Sequence, residues 1–404
     1  MAVVKPFKAW RPKPESAKEV ACVPYDVINT KEAKALANGK PNSFLHVIRP
    51  EIDLPDKTSS YDTKVYQKGR ENLNELLSSG FMEQEDTESL YIYRLIMDGR
   101  SQAGIFGCVS VDDYENDVIL KHELTRPDKE DDRTKHIITQ EAHPEPVMFT
   151  FRDPGEVTSF MNDYMDSRDP LYDIETSDEI RHTIWKVDSS DELVSAFARI
   201  PKLYIADGHH RCASAARAAK EYASQNPDHD KEDGYNFFPA VLFPMDQMEI
   251  LAYNRIVFSI PDNFIELLGK KFTVQKKAKP TPPKKGMVSF YLNDNWYGIT
   301  LKSPVENDPA SALDISLLQE QILGPLLEIK DQRTDPNIDF VGGIRGTDEL
   351  EKLVDNGEAA LGISLYPTSI EELLDVSDAG LLMPPKSTWF EPKLRSGLLI
   401  HTFN

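Results

Sequence analysis

The fold turns on residues 202–224, KLYIADGHHRCASAARAAKEYAS. Lys202 to Ala206 is a short apolar run of the kind that forms a buried strand, and Asp207-Gly208 closes it with a turn signal. From about His209 the chain becomes alanine-rich, and Cys212 to Ser224 has the composition of a strong helix. Where a strand passes through a glycine turn into a helix, the first helical amides lack an intrahelical acceptor. They carry the positive end of the helix dipole, which suits an anion. Arg211 adds a charged fork for phosphate oxygens, and His209 and His210 add donors that switch with pH. Asp207, at the strand end, is of a type that holds Mg²⁺ or takes a proton from a hydroxyl. The same residues also fit an aspartate capping an ordinary helix with two surface histidines, and spacing alone does not separate the readings.

Outward from this turn, Pro146 to Phe151 and His182 to Val187 read as strands, Glu192 to Arg199 as a short helix, and Phe237 to Met245 as an interior strand. Tyr61 to Gly80 has helical spacing. Leu90 to Met97 and Gln102 to Val111 flank Asp98-Gly99, a hairpin signal, and Met287 to Leu292 and Trp296 to Leu301 flank Asn293-Asp294-Asn295, a second one. Ala21 to Ile28 and Ser43 to Ile48 read as short buried strands. Residues 121–136 are polar with charges of both signs, the pattern of a solvated loop. Lys270 to Lys285 holds seven lysines, three prolines and no acid, a basic connector, and from about Ala310 the chain reads as mostly helical. The expected architecture is α+β. It comprises an N-terminal α+β lobe over 1–135, a core around the Asp-Gly-His-His-Arg turn over 136–260, and a C-terminal hairpin and helical region over 261–404 that folds back on the site.

The chain has 404 residues, and 46 basic against 67 acidic side chains give a formal net charge of −21. At roughly 150 residues per domain, this length implies two or three lobes. A hydrophobic content of 40% supports a buried core. The acidity argues against a nucleic-acid binder, which must neutralise phosphates with a basic surface, but not against a small basic pocket. Cys22, Cys108 and Cys212 are odd in number and form no CxxC pair, so neither a disulfide framework nor a structural zinc site is indicated. The opening MAVVKPFKAWRPKPE lacks the apolar core of a signal peptide, and no window approaches the roughly 18 apolar residues of a membrane span. The expectation is a soluble cytoplasmic protein, with homodimerisation left open. Adjacent histidines diverge by about 100° on a helix and rarely chelate one ion. HExxH, GxxxxGK(S/T) and GxGxxG are all absent, so a zinc hydrolase and the common phosphate loops are not the reading.

Asp207 with Gly208-x-x-Arg211 resembles the signature shared by ParB nucleotide-binding domains, sulfiredoxins and free serine kinases. The DGHHR wording is similar to the serine-kinase branch. This resemblance implies a ParB/sulfiredoxin-like mixed core whose Gly-x-x-Arg turn cradles nucleotide phosphates. Sulfiredoxin chemistry needs cysteine directly after the glycine. His209 stands there, and Cys212 lies beyond Arg211. Further stretches resemble a large bacterial and archaeal family catalogued as a domain of unknown function: VPYDVIN (23–29), FLHVIRPEID (44–53), KHELTRPDKEDDR (121–133), YIADGHHR (204–211) and MPPKSTWFEPKLRSGL (383–398). One proline precedes Tyr25 where the family pattern has two.

The resemblance implies an ATP-dependent kinase that phosphorylates the hydroxyl of free L-serine, with Mg²⁺ and with ATP or ADP as donor. Gly208, His209, His210 and Arg211 take the phosphates, and Asp207 or Glu51 orients or deprotonates the hydroxyl. Arg49, Lys121, Arg133 and Lys386 are further candidate phosphate cations. His122, Glu123, Thr125 and Ser387 are candidates for the amino-acid substrate, and Asp207 for the metal. Arg49-Pro50-Glu51 equally fits a surface ion pair, and Lys386 reaches the pocket only if the tail folds back. Asp26 reads as a turn-forming aspartate. Two other readings stay open: a ParB-like nucleotide-binding regulator without turnover, and a phosphatase acting on a small phosphometabolite. The regulator reading extends to a ParB-like DNA adaptor, but the chain shows no basic reading helix, so no nucleic-acid or membrane partner is expected.

Overall fold

The computed structural model describes residues 1–304 and 308–403. The chain forms two compact units. Met1–Lys121, Thr125–Met248 and the segment from Pro392 onward build the first, and His122–Leu124 with Glu249–Glu391 the second. No helix among the described residues is long and apolar enough to cross a membrane.

The first unit is organised on a nine-stranded sheet. Its strands are β1 (Val4–Lys5), β2 (Tyr91–Met97), β3 (Arg100–Ser110), β4 (Ile119–Leu120), β5 (Val147–Phe151), β6 (Tyr172–Glu175), β7 (Arg181–Lys186), β8 (Leu203–Asp207) and β9 (Phe237–Pro244). They lie in the order β4-β8-β5-β9-β3-β2-β7-β6, with β1 paired to β3. β4 runs parallel to β8, and β5 parallel to β9. The remaining pairs are antiparallel, so the sheet is mixed. The β2–β3 hairpin turns at Asp98 (φ 51°) and Gly99 (φ 78°), two left-handed residues in a row, as a two-residue primed turn requires.

Three longer helices belong to this unit: α1 (Thr63–Ser78), α2 (Pro127–Gln140) and α3 (His209–Gln225). The alanine content of α3 has a packing reason as well as a propensity one. Cys212, Ala215, Ala216 and Ala219 lie against Phe149, Ile205 and Leu242 of the sheet, where short side chains let the helix sit close. Alternation along β2 sends Ile92 into this core, while Tyr91 and Tyr93 face the other side with Phe106 and Phe7.

Three parts of the chain differ from their sequence reading, the first being the two apolar runs expected as N-terminal strands. Leu45–Ile48 is a helical turn, and within 21–28 only Cys22 makes a bridge, to Ser396. An apolar run of four to eight residues looks alike in a buried turn and a buried strand, at roughly that length. Residues 127–140 form a helix with proline at its first position, not a loop, and its buried face carries Asp132, Arg133, Thr134 and His136. A polar buried face defeats hydropathy periodicity. The third difference lies beyond Ala310, described with the second unit.

The second unit holds an antiparallel sheet of β10 (Asn254–Val257), β11 (Gln275–Lys276), β12 (Met287–Leu292), β13 (Asn295–Thr300), β14 (Ile338–Val341) and β15 (Leu361–Leu365). Its order is β11-β13-β12-β15-β10-β14. The β12–β13 turn uses Asn293 (φ 50°) and Asp294 (φ 55°), as the second hairpin signal implies. The stretch after Ala310, read as mostly helical, also supplies β14 and β15, two short apolar strands between helices. Arg255 of β10 is fully buried and donates to the carbonyls of Tyr253, Pro385 and Lys386, holding residues 385–386 on this unit's own framework.

Phe149 is fully buried and pairs with Ile205 on one side and Leu242 on the other. Phe149→Ala is expected to cost about 3–5 kcal/mol, read as a lower denaturant midpoint with an unchanged slope. A loss under about 1 kcal/mol would contradict this placement of the core.

Candidate functional site

The site begins where β8 runs out. The β8–β5 ladder shifts register between Ile205 and Asp207, so the last residue of the strand is re-aimed. Gly208 follows at φ 109°, and a Cβ there would lie 2.8 Å from Val147 Cγ1 and 3.1 Å from Arg211 Nε. Both the dihedral and the space demand glycine. α3 starts immediately, without a side-chain cap, so the amides of its first turn have no acceptor from their own helix.

Arg211 lies behind this turn with only 9% of its side chain exposed. Its Nη1 donates to the carbonyl of Pro146, and its Nη2 lies 3.7 Å from Asp26 and 3.9 Å from Asp207. Burial works against its charge, but Asp26, Asp207 and Glu145 outweigh that and hold the guanidinium protonated. Asp207 also accepts a hydrogen bond from Lys393 Nζ at 3.0 Å. Burial alone would raise the Asp207 carboxyl, yet Lys393 and Arg211 together hold it well below the usual carboxylate range. Asp207 is therefore an anion throughout the neutral range, better suited to orienting a group or holding a cation than to storing a proton. The side chains of Asp26 and Asp207 remain 37% and 27% exposed, so both carboxylates are open to a ligand.

Besides Gly208, the sequence nominates two of the four charged residues here, Asp207 and Arg211. Asp26, read as turn-forming, stands beside the Arg211 guanidinium. Lys393 was missed, although the tail segment containing it was singled out. The signal was there in both cases, because Asp26 lies in VPYDVIN and Lys393 in MPPKSTWFEPKLRSGL. Within the first unit, the segment from Pro392 onward brings Lys393 to the turn.

The other nominated residues divide by their partners. His209 is buried at the first helical position. His210 Nε2 accepts the backbone N–H of Arg126 at 3.0 Å, which leaves its proton on Nδ1 and anchors the entry to α2. Arg49 pairs with Glu51 at 2.8 Å and donates to the carbonyls of Tyr25 (2.9 Å) and Ile28 (3.1 Å), stapling the loop that carries Asp26. Glu51 also accepts from Thr30 and lines a surface groove with Lys34 and Asp56. Arg133 pairs with Asp132 at 2.6 Å and lies 4.1 Å above the Tyr25 ring. Lys121 sits 4.2 Å over the Tyr114 ring and 3.5 Å from Asp117, and the Thr125 hydroxyl donates to Glu130.

His122, Glu123, Lys386 and Ser387 belong to the second unit. There the His122 carbonyl accepts from the Met383 amide, Lys386 Nζ lies 5.6 Å over the Tyr253 ring, and Ser387 is buried with its hydroxyl on the Pro384 carbonyl at 2.6 Å.

Against known proteins, no curated protein matches the chain. Among solved structures, a conserved hypothetical protein from Pyrococcus furiosus superposes with a TM-score of 0.37 at 14% identity, covering 72% of this chain and 95% of that one. A free serine kinase in complex with AMP gives 0.38 at 12% identity, with 72% and 92% covered. C-terminally truncated SbnI from Staphylococcus aureus gives 0.39 at 13% identity, with 73% and 87% covered. Scores of this size establish neither a shared fold nor a shared activity. The sequence profile described as Protein of unknown function (DUF1015) matches residues 4–316, most of the chain, including the VPYDVIN and DGHHR segments. On that match, the chain belongs to the DUF1015 family.

Proposed function

We propose that this protein is a small-molecule phosphotransferase that moves a phosphoryl group from a nucleotide, ATP or ADP, to the hydroxyl of free L-serine, giving O-phosphoserine. One observation carries the phosphate part of the reading: an uncapped helix entered through a glycine that admits no side chain, with a buried arginine beneath it. Without a Cβ, Gly208 lets the turn pack directly on Val147 and the Arg211 guanidinium, so the unpaired first-turn amides and the cation lie at one helix start, the arrangement that suits an anion. Serine as acceptor rests on the likeness of the DGHHR wording to the serine-kinase branch.

In this reading the amides of His209, His210 and Arg211 face the phosphates, and Arg211 and Lys393 supply the fixed positive charge. Asp26 and Asp207 offer hard oxygen donors of the kind Mg²⁺ takes, one or two carboxylates alongside water and phosphate oxygens. When bound, the metal neutralises phosphate charge. The serine oxygen forms the new P–O bond, the bond to the nucleotide breaks, and the hydroxyl proton leaves to a carboxylate or water. Asp207 is the carboxylate nearest the turn. Its low proton affinity suits orienting the hydroxyl, with Glu51 the alternative acceptor. Arg49 and Arg133 support the site by holding the loop of Tyr25 and Asp26. Phosphoryl transfer depends on such positioning and charge more than on covalent help.

Incubation with Mg²⁺, ATP or ADP and a panel of free amino acids should produce O-phosphoserine. Nucleotide binding without turnover would instead mark a regulator, and release of phosphate from O-phosphoserine without nucleotide would mark a phosphatase. Arg211→Ala is expected to lower turnover by at least about 100-fold, and an unchanged rate would remove the reading. Gly208→Ala, strained both by its φ and by a Cβ 2.8 Å from Val147 Cγ1, should lower the unfolding temperature and weaken nucleotide binding, measured by thermal unfolding beside calorimetry. Lys393→Met removes a cation that holds the Asp207 carboxyl down, so the acid limb of the pH–rate profile should move to higher pH. A limb that stays in place would separate Asp207 from turnover.

A further inference from the structure

Glu145 sits in His143-Pro144-Glu145-Pro146, just before β5, and the two prolines restrict the backbone on either side. Its side chain is 4% exposed. One oxygen, Oε1, accepts both the Tyr25 amide at 3.1 Å and the Ser396 hydroxyl at 3.2 Å. The other faces Arg133 Nη1 at 4.0 Å, and the adjacent carbonyl of Pro146 takes Arg211 Nη1. Tyr25 precedes Asp26, and Ser396 lies three residues beyond Lys393. A single buried carboxylate thus ties two chain segments distant in sequence to the strand beside the turn. The same segments are joined to each other by paired backbone hydrogen bonds between Cys22 and Ser396, 3.1 and 2.9 Å.

We infer that Glu145 is the positioning residue of this site, fixing Asp26 and Lys393 on either side of Arg211 before any ligand arrives. The inference deepens the phosphate reading of the Asp207–Arg211 cluster and rests on it. No sequence motif points to Glu145, and beyond the two segments it adds to the negative charge that keeps the Arg211 guanidinium protonated. Its necessity follows from the cost of a buried carboxylate, which persists only where amides, hydroxyls and cations converge on it. Truncation would leave the Tyr25 amide and the Ser396 hydroxyl without an acceptor. It would also enlarge a cavity of about 30 Å³ already lined by Arg133, His136, His143 and Arg211.

The test compares the full-length wild type with E145A and E145Q, by amide hydrogen exchange over residues 22–28 and 392–398 and by calorimetric titration with ADP and Mg²⁺. E145A should speed exchange in both segments together and weaken ADP binding by about tenfold or more. E145Q keeps the amide oxygen for Tyr25 and Ser396 and should restore protection, with ADP affinity within about threefold of wild type. Unchanged exchange in E145A overturns the inference, whatever happens to ADP. Loosened segments in a protein whose wild type binds no ADP would remove the phosphate reading and leave the positioning role standing. Should E145A not fold, S396A carries the test. It cuts one arm only, so 392–398 should loosen while 22–28 stays protected, and equal protection of both contradicts the inference.

Discussion

A buried guanidinium has to be compensated, and Arg211 shows what that demands of a chain. Its head lies under the glycine turn, where water cannot solvate it, so carboxylates and carbonyls must be brought to it. Asp207 comes from its own strand end and Asp26 from the N-terminal loop. Pro146 contributes a carbonyl from the neighbouring strand, and Lys393 arrives from the chain end to balance Asp207. Four stretches of sequence meet because one cation is buried. The closure of the first unit, with residues 392 onward folded back to the sheet, is part of that compensation.

This also gives the overall charge its meaning. A net charge of −21 describes the whole chain, whereas the turn concentrates two cations against two half-open carboxylates. Such a cluster is close to neutral when empty. It can take up a polyanion together with a divalent cation without a large change in local charge, a balance that a purely basic patch lacks. An acidic protein with a locally balanced polar site lacks the basic surface needed to track a nucleic-acid backbone, and the proposed reading gives that site one small phosphorylated molecule.

The parts of this arrangement that obey local rules were legible. The strand–glycine–helix turn follows from Lys202 to Ser224, and the two hairpins follow from Asp98-Gly99 and Asn293-Asp294, because turn chemistry acts within a few residues. Segments whose burial is polar or long-range were not. α2 hides Asp132, Arg133 and His136 on its inner face, so a helix presented itself as a solvated loop. Arg49, for which a phosphate role and a surface ion pair with Glu51 fit the sequence equally, pairs with Glu51 and holds the carbonyls of Tyr25 and Ile28. Lys386 and Lys393 stand seven positions apart in one motif, and nothing in their local sequence says which of them meets Asp207. Glu145 carried no signal, because its importance lies in partners more than a hundred residues away in either direction.

The most direct measurement is a crystal structure of the protein with ADP and Mg²⁺. The nucleotide phosphates are expected against the amides of His209 to Arg211, with the Asp26 and Asp207 carboxylates facing the metal and Lys393 within hydrogen-bonding reach. Phosphates seated elsewhere, with the Gly208 turn unchanged and unoccupied beside them, would contradict this placement.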